Sequence, residues 1–91
     1  MLKIDIWHEA EDFIETLVAK HQRQIGAKIV ALAENPTPQR SKTLEGFPLL
    51  RRIPSGNYRI VYFISGSVLN IVLVGKRGDD EVYRRLKRLF G

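Results

Sequence analysis

The 91-residue chain contains no cysteine, which excludes a disulfide framework and a thiolate metal site. Its two histidines, His8 and His21, stand in no cluster at metal-ligand spacing. No apolar run approaches the roughly 18–20 residues that a membrane span requires. The opening Met-Leu-Lys-Ile-Asp-Ile is charged and alternating, which does not fit a signal peptide. The expected setting is therefore reducing and cytoplasmic. Repeats and low-complexity segments are also missing, and a chain of this length makes a single domain spanning residues 1–91.

What the sequence does have is positive charge, unevenly placed. Lys and Arg number 15 against 10 Asp and Glu, a net +5. Residues 1–45 hold 6 basic and 7 acidic residues, net −1, whereas residues 46–91 hold 9 basic and 3 acidic, net +6. This asymmetry points either to a surface facing a polyanion, such as nucleic acid or an acidic protein, or to a merely solubilising face.

Leu2–Trp7 alternates apolar and polar residues, as a half-buried strand does. From His8 the apolar positions Ala10, Phe13, Ile14, Leu17 and Val18 recur at three- and four-residue spacing, followed by Ile25, Ile29, Leu32 and Ala33. Asn35-Pro36 ends the pattern. One helix over this whole stretch is too long for so small a domain, so a helical hairpin bending near Val18–His21 is expected. Residues 36–46 read as a loop. Three strands follow, Phe47–Ile53, Tyr58–Ser65 and Val68–Val74, separated by Pro54–Asn57 and Ser65–Ser67. Asp79–Phe90 reads as a helix with acids at its start and Arg84, Arg85, Lys87 and Arg88 toward its end, the order that the helix dipole favours. The expected class is α+β: a small antiparallel sheet packed on one side by the helices, in the order β-α-α-β-β-β-α.

A four-residue loop at Pro54–Asn57 places Arg52 opposite Arg59. Two facing arginines either splay into solvent or take an anion between them, and the guanidinium fork suits phosphate. A three-residue loop at Ser65–Ser67 puts Leu73 opposite Arg59, and the same face continues through residue 75 to Arg77. Tyr83 closes the edge of this patch, either stacking a base or packing the last helix onto the sheet. His8 and His21 lie on or before the helices in the acidic half and are expected to have no catalytic role. Trp7 reads as core.

Leu44-Glu45-Gly46, Leu50-Arg51-Arg52-Ile53, Gly56-Asn57-Tyr58-Arg59-Ile60-Val61-Tyr62, Val74-Gly75-Lys76-Arg77 and Glu81-Val82-Tyr83 resemble the RelE/ParE superfamily of bacterial and archaeal toxins, over nearly the whole chain. The Gly-Lys-Arg followed by Glu-Val-Tyr points to the RelE branch. The resemblance implies a toxin of a type II toxin–antitoxin system, an endoribonuclease that cuts messenger RNA in the ribosomal A site and is neutralised by an acidic antitoxin. The ParE branch implies a different outcome, a gyrase inhibitor that is not a nuclease. By resemblance the catalytic candidates are Arg59, Arg77, Tyr83 and Arg52. Lys76, Arg51, Lys42 and Arg84 are the candidates for RNA binding, with Lys42 at the periphery beside Arg40. No cofactor or metal is implied, since the ribose 2′-hydroxyl can attack the neighbouring phosphate. Two positions often basic in the family are Leu50 and Pro54 here, which makes the cluster thinner.

Overall fold

Runs of β-branched and aromatic residues from Phe47 onward form the centre of a five-stranded sheet. The computed structural model describes residues 1–78 and 81–90. Its elements are β1 (Lys3–Ile6), α1 (His8–Glu15), α2 (Ala19–Glu34), β2 (Lys42–Leu44), β3 (Phe47–Ser55), β4 (Tyr58–Ser65), β5 (Val68–Lys76) and α3 (Glu81–Phe90). The expected start of the last helix at Asp79 lies, with Asp80, outside the described residues.

The class is α+β, with two additions to the expected layout. Strand order is β1-β5-β4-β3-β2. β1 pairs with β5 in parallel while the other pairs are antiparallel, so the sheet is mixed. β2 lies inside the segment read as a loop. It is only three residues long and has one buried apolar side chain, Leu44, too little for a period-two signal.

The helical hairpin forms, but it bends at Thr16–Val18, slightly earlier than the expected Val18–His21. Val18 is extended at φ −65° and ψ 154°, and its carbonyl accepts the first bonds of α2, from the N–H groups of His21 and Gln22. The Gln22 side chain reaches back to donate to the Ile14 carbonyl at 3.0 Å, a second bond to an acceptor that also takes the Leu17 N–H at 3.0 Å, and so ties α2 to the end of α1. No proline or glycine marks this corner.

The expectation that all helices cover one side is corrected. Ala10 of α1 and Ile25, Ile29, Leu32 and Ala33 of α2 pack with Ile53, Ile60, Tyr62, Leu69, Ile71 and Val74 on one face of the sheet. On the other face, Val82 and Leu86 of α3 pack with Leu44, Leu50, Val61, Val72 and Leu73. The reason is readable in β4, where Ile60, Val61 and Tyr62 are consecutive and all fully buried. A strand with apolar residues at both parities needs cover on both faces. In β5 the register shifts beside Val61 and Tyr62. Val61 pairs with Leu73 and Tyr62 with Ile71, so Val72 is an inserted residue. Trp7 packs into the second core, edge-on to Phe63 at 5.8 Å and stacked on Phe90 at 5.7 Å. Its indole N–H donates to Asn70 at 3.2 Å.

Ile60→Ala removes a side chain that is wholly buried in the first core and is expected to cost about 2–5 kcal/mol. Leu49→Ala, at 83% exposure, is expected to stay within about 0.5 kcal/mol of wild type. Urea unfolding of both variants checks the contrast.

Candidate functional site

Both hairpin loops are shorter than the sequence suggests, and this changes the pairing of the arginines. Ser55 pairs with Tyr58, leaving Gly56-Asn57 as a two-residue turn, with Gly56 at φ +59° where a side chain is disfavoured. Arg59 therefore faces Pro54 instead of Arg52, and Arg52 faces Val61. Pro54 sits within β3 and not in the turn. In the ladder its missing N–H points away from β4, beyond the last β2 pairing at Arg52, where no neighbouring strand needs a donor. Across β5, Arg59 is opposite Gly75 and not Leu73. Both corrections shift the register near Arg59 by two residues, so Arg52 and Arg59 still share one face as diagonal neighbours.

That face carries a concave groove of about 400 Å³ lined by Gln39, Arg40, Lys42, Arg52, Ile53, Pro54, Arg59 and Arg77. Lys42 enters through its pairing with Arg52, since β2 runs beside β3. Arg40, read as peripheral, forms part of the wall, and only the existence of β2 reveals this. Among the described residues the lining contains five cations and no carboxylate. None of the five has an ion-pair partner among the described residues. Arg77 is positioned by main chain: its N–H donates to the Asn57 carbonyl at 3.0 Å and its guanidinium to the Gly56 carbonyl at 3.3 Å. Of the two departures, Pro54 lines the groove, whereas Leu50 is buried in the second core and contributes nothing to it.

Helix α3 brings Tyr83 to this groove. Arg59 Nη1 donates to the Tyr83 hydroxyl at 3.5 Å. The approach depends on Gly75, the cross-strand partner of Arg59: a Cβ built there falls well inside van der Waals contact of Val82 Cγ2. In the sequence Gly75 stands within the Gly-Lys-Arg run, with no packing role marked for it. Its signal is a glycine in a strand that continues to Lys76, a mark of close backbone or helix approach.

The remaining candidates lie elsewhere. Lys76 pairs with Tyr58, so it points to the face of the helical hairpin, opposite Arg59. Arg51 points to that face as well. Its guanidinium donates to the Ser41 carbonyl at 3.3 Å, to the Ser41 hydroxyl at 2.9 Å and to Thr43 Oγ1 at 3.5 Å, tying β3 to β2. Arg84 pairs with Glu81 at 3.2 Å along the exposed side of α3. Neither histidine lines the groove. His8 pairs with Asp12 at 3.1 Å, and His21 Nδ1 shares a hydrogen bond with the Tyr58 hydroxyl at 2.7 Å.

Comparison with known proteins identifies the fold and the family. Residues 4–81 match the family model described as the ParE toxin of type II toxin–antitoxin systems, parDE. The chain therefore belongs to the RelE/ParE toxin superfamily and is a toxin of the type II toxin–antitoxin class. Among solved structures it is similar to an arginine-to-alanine double mutant of E. coli toxin RelE in the free state, at 28% identity, 98% coverage of both chains and a TM-score of 0.79. It is also similar to RelE in the intact E. coli RelBE toxin–antitoxin complex, at 26% identity over 87% of this chain and 100% of that one, with a TM-score of 0.73. The archaeal RelE–RelB complex from Pyrococcus horikoshii, at 24% identity over 85% and 96% of the two chains and a TM-score of 0.74, shares the fold. No curated protein matches.

Gly75→Ala forces α3 away from β5 and is expected to cost about 1–3 kcal/mol. Removing the opposing methyls in Gly75→Ala/Val82→Ala is expected to give back part of this loss, with a coupling of about 0.5–3 kcal/mol in a double-mutant cycle of unfolding free energies. Strict additivity of the two substitutions contradicts the proposed close approach.

Proposed function

We propose that this chain is a ribosome-dependent messenger endoribonuclease whose scissile phosphate binds in the groove of Arg52, Arg59 and Arg77. The observation that carries the reading is the hydrogen bond to Tyr83 from Arg59, a residue of a groove whose described lining holds five cations. The reaction is internal transfer. The ribose 2′-hydroxyl gives up its proton to solvent as its oxygen forms a bond to phosphorus, the bond from phosphorus to the 5′-oxygen breaks, the 5′-oxygen takes up one proton, and a 2′,3′-cyclic phosphate and a 5′-hydroxyl result. The protein has to hold the RNA backbone in line and neutralise charge that accumulates on the phosphoryl oxygens. Arg59 and Arg77 supply that charge, and Arg52 lies diagonally beside Arg59 on the same face.

Proton transfer needs a different group, because arginine stays protonated. Tyr83 carries a hydroxyl beside the lining residue Arg59. Its oxygen accepts from Arg59, so its own O–H is the donor for a substrate oxygen in this reading. The ribosome contributes alignment that so open a groove does not impose by itself. Lys42 and Arg40 hold the flanking backbone. Lys76, Arg51 and Arg84 stand apart from the groove, and as RNA contacts they would belong to a wider ribosomal footprint.

The partner in this reading is an acidic antitoxin, supported by the E. coli and archaeal relatives that are seen in complex with RelB. The ParE name of the matching family favours a second reading, a gyrase-binding toxin. Nuclease chemistry requires the Arg59–Tyr83 pair, whereas a gyrase binder has no use for it.

Arg59→Ala and Arg77→Ala are each expected to lower the rate of message cleavage on ribosomes by about 10²–10³ and to relieve growth arrest while remaining folded. Mapping of messenger 5′ ends after expression provides the measurement. Full toxicity in both folded variants overturns the site. Growth arrest with a DNA-damage response and no new 5′ ends selects the gyrase reading.

A further inference from the structure

A second groove, of about 560 Å³, opens beyond the edge of β3. It shares Arg40, Pro54 and Arg77 with the first groove, so the two adjoin at these residues. Its far wall is α2. Gln24, Ala27, Lys28 and Ala31 recur there at three- and four-residue spacing, forming the stripe outside the buried Ile25, Ile29 and Leu32. The stripe has a definite chemistry. The two alanines leave a low floor, and Lys28 and Gln24 stand one turn apart, with the Gln24 amide beside Gly56.

We propose that Lys28, Arg40 and Arg77 form a second phosphate site, for a backbone phosphate of the same single-stranded RNA, outside the nucleotides that react. The proposal rests on the nuclease reading only for the identity of the strand. Among the described residues the lining holds three cations and no carboxylate. No ion pair to Lys28 or Arg40 is present among the described residues. The lining also has no aromatic ring, so it offers no platform on which a base can stack. Positive charge without a stacking surface or a base-reading pocket suits phosphodiester contact independent of sequence. A strand with one phosphate at Arg59 passes Arg40 and Arg77 on leaving the first groove, and Lys28 is the next cation along that path. The site extends the footprint without narrowing sequence preference.

The test is the salt dependence of binding, by fluorescence anisotropy of labelled oligouridylates of about four and about twelve nucleotides, with the isolated full chain. Lys28→Gln and Arg40→Gln are each expected to reduce the slope of log K against log salt by about 0.7 with the longer oligonucleotide. For the shorter one Lys28→Gln is expected to leave the slope unchanged. Lys3→Gln, on the opposite edge strand β1, removes the same charge and is expected to leave both slopes unchanged. An unchanged slope in Lys28→Gln, an equal fall in Lys3→Gln, or no salt-dependent binding by wild type overturns the site. So does weakened binding of a polyglutamate peptide with no change in the oligouridylate slope, which assigns the groove to an acidic protein. Cleavage plays no part in this measurement. Wild type that binds with the expected slopes yet cuts no message on ribosomes overturns the nuclease reading and not the groove.

Discussion

The site depends on how closely α3 lies against β5, and that distance is set by the bare backbone of Gly75. Val82 seats over it and is buried, and Leu86, one turn further, is fully buried in the same core. Each contributes about 1.5–3 kcal/mol of burial, which fixes the rotation of the helix. Tyr83 follows Val82 in sequence and is thereby brought to Arg59, the residue across the ladder from Gly75. The far end of α3 is held independently, by Arg85 on Glu9 at 3.2 Å and by Phe90 stacked on Trp7. A helix anchored at both ends offers its phenol in one place, as a catalytic or binding group requires.

Assembling the groove opposes folding electrostatically. Arg52 and Arg59 are diagonal neighbours on one face, and Arg40, Lys42 and Arg77 stand around them without a carboxylate in the lining. Like charges held together on a sheet are unfavourable, and the two-sided core offsets that cost. An anion bound in the groove removes it. Helix α3 shows the opposite arrangement, with Glu81 interleaved against Arg84 and Arg88.

The shared face of Arg52, Arg59 and Arg77 was legible in the sequence even though the loops were not. At the first hairpin the shift is two residues, which preserves sides. At the second, Ser65 pairs with Val68 where a three-residue loop pairs Ile64 with it, a shift of one that alone reverses every side chain. The inserted Val72 adds another residue to β5 and brings Arg59 opposite Gly75, so parity is recovered just where it matters. No sequence pattern announces that bulge, because residues 71–74 are uniformly apolar and buried. β2 was hidden by its length and polarity, and with it the roles of Lys42 and Arg40. The position of α3 is hidden because apolar residues at both parities of a strand satisfy strand propensity and a demand for cover on both faces equally well.

Charge counted along the chain also misleads about where it acts. The excess lies in residues 46–91, yet much of it is committed within the fold. Arg84 and Arg88 meet Glu81, Arg85 meets Glu9, and Arg51 is bound to Ser41 and Thr43 on the other face. The net-negative first half supplies Arg40, Lys42 and Lys28 to the groove walls. The electropositive surface is thus built from both halves, where the β3 edge, the β4–β5 ladder and one stripe of α2 converge. Such a surface suits an extended anion better than a compact one: two adjoining grooves meet at Pro54, and a compact anion would fill only one of them.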